Sequence, residues 1–143
     1  MEYRHAQNQW VVRLDKGEVI VDTLHHFFQQ QHLTGGYVWG IGSVTNVVLG
    51  YYDVQKKEYL RKTFDEVYEL LSLQGNITVV DNAPFLHAHV LLSGKDFAAF
   101  GGHLFEATVR ATVELAIVPW PFNIGRQFHT DVGLKLWKFD ATI

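Results

Sequence analysis

The 143-residue chain contains no cysteine. Disulfides, thiolate metal ligands and a cysteine nucleophile are all excluded, and any metal must be held through nitrogen and oxygen. No run approaches the roughly 18 apolar residues that a membrane span needs. The opening MEYRHAQNQW has no apolar core of signal-peptide length. A cytoplasmic protein with no membrane segment is expected. Positive charge is also scarce: the formal net charge is −3 and the sequence pI about 6.2. A domain that holds DNA mainly through phosphates carries a basic surface, so DNA binding is expected to be weak or indirect at most. The densest basic group is Lys56, Lys57, Arg61 and Lys62, interrupted by Glu58. It reads as a solvated strand edge whose lysines discourage edge pairing. Nucleotide and serine-hydrolase signatures are missing too. Gly40-Ile41-Gly42-Ser43 has no lysine where a P-loop needs one, no Rossmann fingerprint is present, and Ser43 and Ser72 lack the G-x-S-x-G context.

What is present is an ordinary globular balance, 48% hydrophobic and 19% charged, which suits one domain with one core over residues 1–143. Gln9 to Leu14 reads as a first strand, and Asp15-Lys16-Gly17 as a turn. From Glu18 to His32 the period becomes helical, with Ile20, Leu24 and Phe27 on one stripe. Gly35-Gly36 is expected to end that helix. Beyond it the chain is β-rich. Tyr37 to Ser43 and Asn46 to Tyr52 read as short strands, with Gly40 and Gly42 marking a bulge or a close backbone approach. Further strands are expected at Glu58 to Phe64 (an edge), Val67 to Val80, Phe85 to Ser93, Phe97 to His103, Val109 to Val118 and Gly133 to Phe139. Val109 to Val118 alternates Val109, Ala111, Val113, Leu115 and Ile117 against polar residues, and Pro119 and Pro121 stop it. The Trp120-Pro121-Phe122 loop either covers the core or meets another subunit. The expected class is α/β of the α+β type: a mainly antiparallel sheet with a helix packed on it.

Eight histidines stand out, because imidazole is the commonest metal ligand. In FLHAHVLLS, alternation puts Leu86, Ala88, Val90 and Leu92 on one face, apolar and destined for the core. His87 and His89 fall side by side on the other, spaced to reach one ion. If Phe97 to His103 doubles back after Gly94-Lys95-Asp96, His103 joins them, and Gly101 and Gly102 leave space beside it. Three imidazoles with an open fourth position form a known catalytic zinc arrangement. Without metal, the pair would simply line a polar face or a subunit contact. Glu106, three residues after His103, could add a carboxylate or orient an imidazole. Glu69, among apolar neighbours, is either an unusual acid or an outward-facing strand residue. His25 and His26 lack i+3 or i+4 partners and are expected in solvent. His5, His32 and His129 are isolated.

The order of these pieces resembles the plants-and-prokaryotes-conserved (PPC) domain family. The resemblance rests on YVWGIGSVTN (Tyr37 to Asn46), YELLSLQGNI (Tyr68 to Ile77), PFLHAHVLLSG (Pro84 to Gly94), GGHL (Gly101 to Leu104) and ATVELAI (Ala111 to Ile117). It implies a mainly antiparallel sheet with one helix, a homotrimer, and a metal site at His87, His89 and His103. It also implies a DNA-binding label, borne by relatives whose AT-hook segments touch DNA; no Arg-Gly-Arg-Pro core occurs in this chain. Three functions follow. The first is a trimeric domain holding a divalent ion, zinc foremost, that binds or senses a small molecule. The second is a metal-dependent hydrolase or lyase-like enzyme with Glu69 or Glu106 as base. The third is a DNA-associated regulatory module.

Overall fold

The computed structural model describes residues 1–139, and the expected domain end at residue 143 lies outside them. Strands β1 (Glu2–Ala6) and β2 (Gln9–Asp15) form a hairpin turned by Gln7 and Asn8, at φ 49° and 60°. Two successive positive φ values suit the right-handed twist of paired strands. The first of these strands is absent from the sequence expectation because all five of its residues are exposed and nothing alternates.

Helix α1 spans Ile20–Gln30 and buries Ile20, Leu24, Phe27 and Phe28, the predicted stripe plus one residue. Its end differs from expectation. His32, not Gly35, takes the left-handed conformation at φ 55°. The His32 N–H donates to the Gln29 carbonyl and the Leu33 N–H to the Phe28 carbonyl, so two otherwise free helix-end carbonyls are satisfied. Leu33 and Phe28 are both buried in the core, and the contact that usually accompanies this cap is available. Gly36 instead opens the next strand.

The strands that follow are β3 (Gly36–Asp53), β4 (Glu58–Phe64), β5 (Tyr68–Val80), β6 (Ala83–Ser93), β7 (Ala99–Pro119), β8 (Gly125–His129) and β9 (Leu134–Lys138). Two pairs of expected strands are each one long strand. Tyr37 to Ser43 and Asn46 to Tyr52 merge into β3, and Phe97 to His103 and Val109 to Val118 merge into β7. The irregularities that look like breaks in sequence are absorbed as register shifts, between Gly42 and Val44 and between Thr45 and Leu49 of β3. Such bulges bend a strand without ending it. Ala111 sits in one of them and is exposed, off the alternation that Val109 and Val113 keep. Gly40 and Gly42 show both expected features: the register with β5 shifts between them, and an added Cβ at either would overlap the backbone of β7.

Because β3 and β7 are long and bent, each changes partner along its length. The first half of β3 pairs with β5 and the second with the edge strand β4. The start of β7 pairs with β6 and its end with β2. Since β5 also pairs with β6, and β3 with β7, strands β3, β5, β6 and β7 close a circuit. Among the described residues, all ladders are antiparallel except one bridge, Val79 to Gly125, that ties β8 to β5. Leu73, Ile77, Leu86, Ala88, Val90, Leu92, Val113 and Ile117 point inward to the core, where α1 packs against β6 and β7. The opposite side chains of those strands therefore point outward, and the histidines are among them. No helix among the described residues is long and apolar enough to cross a membrane.

Candidate metal centre

Backbone pairing builds the site. His87 and His89 lie on the outward face of β6, and His89 stands directly across from His103 on β7. This register depends on Gly101, because a Cβ there would overlap the Val90 carbonyl oxygen of β6. The glycine thus sets the closeness of the two strands rather than room around the imidazole. The three rings form a near-equilateral triangle, with centroids 5.2 Å apart for His87–His89, 5.2 Å for His87–His103 and 5.4 Å for His89–His103. One ring nitrogen from each lies within 4.8 Å of the others. A tetrahedral ion with bonds of about 2.0–2.1 Å would bring such nitrogens to about 3.3 Å apart, within reach of small side-chain rotations.

The donor set fits a metal on a second observation. Nδ1 of His103 is buried and has no hydrogen-bond partner among the described residues, and a buried polar atom left alone is costly. Burial pushes the His87 imidazole down to about 4, reinforced by the Arg126 guanidinium and by His89. Burial likewise lowers His103 to about 4, followed by His87, His89, Arg61 and Arg126. Both imidazoles are therefore neutral at pH 7, the state in which a ring nitrogen has a lone pair to give.

On the His87 and His103 side of the triangle lies a cavity of about 390 Å³, lined by those two residues, Tyr59, Phe85, Phe105 and Arg126 among others. Phe105 packs on His103 at 4.8 Å and on Tyr59 at 5.0 Å, and the Arg61 guanidinium covers its ring at 3.8 Å. Gly50, paired with His103, makes this possible: a Cβ there would come within 2.5 Å of the Phe105 ring and 2.8 Å of Tyr59. The β8–β9 hairpin forms another wall. Arg126 fixes it to β5, donating from Nε to Thr78 at 2.8 Å and from Nη2 to Asn76 at 3.0 Å, while Nη1 bonds the Lys135 carbonyl at 3.0 Å.

The three histidines singled out in sequence are brought together; the two carboxylates are not. Glu106 is exposed and lies outside the cluster, and no side chain among the described residues orients His103 Nδ1. Glu69 is exposed in a separate groove with Ser43, Leu71 and Thr112. His26 is in solvent as expected, but His25 is half-buried and accepts a hydrogen bond from the Leu86 N–H at 3.1 Å. Phe85 falls on the histidine face by the alternation of FLHAHVLLS, but Arg126, Tyr59 and Phe105 carry no sequence signal that ties them to the site.

Among the described residues, the fold and the histidine triangle define a class: a mainly antiparallel β-protein with one helix and an outward-facing cluster of three histidines that could hold a metal. Residues 1–121 match the Plants and Prokaryotes Conserved (PCC) domain, and the chain belongs to that family. Among solved structures, the metal-containing protein from Archaeoglobus fulgidus is 38% identical, covering 96% of this chain and 97% of its own, with a TM-score of 0.86. The plant- and prokaryote-conserved (PPC) protein from Pyrococcus horikoshii is 30% identical, covering 99% and 97%, also with a TM-score of 0.86. A Bacteroides thetaiotaomicron chain named a "putative dna binding protein" is 28% identical over 96% of both chains, with a TM-score of 0.93. Comparison with curated proteins finds no match.

Proposed function

We propose that this chain is a single-domain, trimeric metal-binding protein whose site at His87, His89 and His103 holds a divalent ion, zinc foremost, and binds or senses a small molecule. The observation that carries this reading is the convergence of three ring nitrogens beside a buried, unpartnered His103 Nδ1. The similarity to the Archaeoglobus protein named as metal-containing supports it. When bound, the ion would act as a Lewis acid toward an oxygen or nitrogen donor at its open position. The cavity beside the histidines provides the place for a ligand.

The trimer is supported by the outer face of the sheet. Tyr37, Trp39 and Ile41 alternate along β3 at 50%, 46% and 58% exposure, next to Leu115, Ala116 and Gly75. Trp120 extends the patch, with its ring edge-on to Tyr37 at 4.9 Å. A contiguous apolar surface of this kind is unusual on a monomer. Pairing places His103, His89, Gln74 and Trp39 in one row across β7, β6, β5 and β3, so a neighbour seated on that face would approach the exposed His89.

A DNA-associated role, suggested by the name of the Bacteroides protein, is the weaker reading, because a net charge of −3 opposes phosphate binding. An enzymatic role with Glu69 or Glu106 as base is disfavoured by their exposure away from the cavity.

Elemental mass spectrometry of tag-free wild type beside the His87→Ala/His89→Ala variant tests the metal assignment. Near-stoichiometric metal in wild type and none in the variant, with the fold unchanged, is the expected result. Metal retained by the double variant, or absent from wild type after incubation with zinc, nickel, cobalt and manganese, would refute it.

A further inference from the structure

Arg126 is a half-buried cation with no carboxylate within salt-bridge distance among the described residues. Burying a charge without a counter-charge is expensive. Its three hydrogen-bond acceptors, Thr78 Oγ1, Asn76 Oδ1 and the Lys135 carbonyl, are all neutral. They hold the guanidinium rigidly without cancelling its charge. Five N–H groups less three used leaves two, one on each Nη.

Arg126 also lines the cavity that His87 and His103 share. A divalent ion there would raise the fixed charge of one small pocket to +3, counting Arg126 and the ion alone, since Lys135 in the same wall is paired with Asp81 at 2.8 Å. Among the described residues, no aspartate or glutamate lines the cavity to offset this. Apart from the Tyr59 hydroxyl, the rest of the wall is apolar or aromatic: Tyr59, Val80, Phe85, Phe105, Leu134 and Leu136. The volume of about 390 Å³ lies at the small end of ligand sites.

From this we infer that the cavity binds a small organic carboxylate with an apolar body, its carboxylate held by the two free Nη N–H groups of Arg126 and its body against the aromatic and leucine wall. A planar guanidinium with two remaining donors matches a carboxylate better than a spherical anion. The inference deepens the metal-site reading and rests on it for part of the charge. Arg126 supplies the rest without metal. Arg126 lies beyond residues 1–121, the part that matches the family, so the ligand preference belongs to the C-terminal hairpin rather than to the histidine motif.

The experiment titrates wild-type protein, zinc-loaded and metal-free, with benzoate, phenylacetate and hexanoate and with their neutral amides, by calorimetry. At least one carboxylate is expected to bind ~10- to 100-fold more tightly than its amide, the factor a charge-assisted hydrogen-bond pair provides. That preference is expected in both forms and to be larger with zinc. Arg126→Met should abolish the preference; Arg126→Lys, which keeps the charge, should retain part of it and controls for loss of the hairpin. Equal affinity for each acid and its amide, or no binding of any of the three acids, would overturn the inference. Zinc content measured on the same samples separates the two ideas. Zinc bound without carboxylate preference sinks only the carboxylate site. Carboxylate preference without zinc binding supports that site and sinks the metal reading.

Discussion

Nε2 of His25 accepts a hydrogen bond from the backbone N–H of Leu86 at 3.1 Å. Leu86 directly precedes the metal-candidate His87, and at this point β6 has lost its β7 neighbour, which pairs only from His89 to Ser93. An imidazole from α1 thus stands in for the missing strand. Burial lowers the His25 pKa, against the pull of Asp22, which keeps the ring neutral and its acceptor available.

Replacing His25 by alanine strands the Leu86 N–H in a partly buried position. The expected cost is about 1–3 kcal/mol, read as a lower urea midpoint with unchanged slope. Metal affinity should weaken as well, because the strand that carries His87 loses its anchor on that side. A variant as stable as wild type would show that water satisfies the Leu86 N–H equally well.

The contrast between His25 and the triad explains what was legible in the sequence. Strict alternation in FLHAHVLLS placed Leu86, Ala88, Val90 and Leu92 inside and the two imidazoles outside, and all four apolar residues are buried. His103 followed from a turn and a returning strand, both local signals. His25 has a partner 61 positions away, so its helix position resembles that of exposed His26. Arg126 was hidden for the same reason. Its strand is five residues long and meets β5 through a single bridge, and no period in the sequence points to Thr78 or Asn76. Strands β3 and β7 looked broken because bulges interrupt alternation while the hydrogen-bonded ladder continues.

Acid should destabilise the metal-free protein through the site itself. His87 and His103 lie near 4 in the folded protein against an ordinary value of 6.5. Between those values the unfolded chain binds more protons than the folded one, so stability increases with pH. The contribution is fully present above about 6.5 and is lost as pH falls through about 4. Urea midpoints of metal-free wild type should therefore drop from pH 7 to pH 4, and the His87→Ala/His103→Ala variant should drop less. Identical pH profiles for the two would contradict the assignment.

Val90 tests which face of β6 is the core. It is 6% exposed and pairs with Leu73 across β5. An aspartate there is an unpaired buried charge, expected to cost about 3–5 kcal/mol and to leave little folded protein. Leu91→Asp, on the outer face at 43% exposure, should fold. Circular dichroism and soluble yield distinguish the pair, and the reverse result would mean that the faces are exchanged.

Oligomer size tests the apolar outer face. Wild type, with a chain mass of 16.4 kDa, should elute with a light-scattering mass near three chains. Ile41→Asp places a charge at the most exposed position of the β3 stripe while leaving the core untouched, so it should give folded protein at the mass of one chain. A trimer that persists in this variant would move the subunit contact to another surface.

Gly101 links the fold to the chemistry most directly. An added methyl group at this position would overlap the Val90 carbonyl oxygen across the β6–β7 ladder, where only backbone stands and nothing flexible can yield. The strands would have to move well apart, because the added Cβ would lie 2.2 Å from that oxygen, or lose their pairing, and His89 and His103 are opposite each other in that ladder. Gly101→Ala is therefore expected to cost about 1–3 kcal/mol in stability, in the range of overpacked positions, and to reduce zinc affinity at least ~10-fold, since a displaced ligand degrades the coordination geometry. Gly125→Ala is the control. It directly precedes Arg126 in the cavity wall, but a Cβ there meets no atom within 4 Å, so its stability should stay within about 0.5 kcal/mol of wild type. If zinc affinity survived in Gly101→Ala while stability fell, the histidines would be shown to reach the ion by side-chain adjustment alone, and strand spacing would matter for folding but not for the metal.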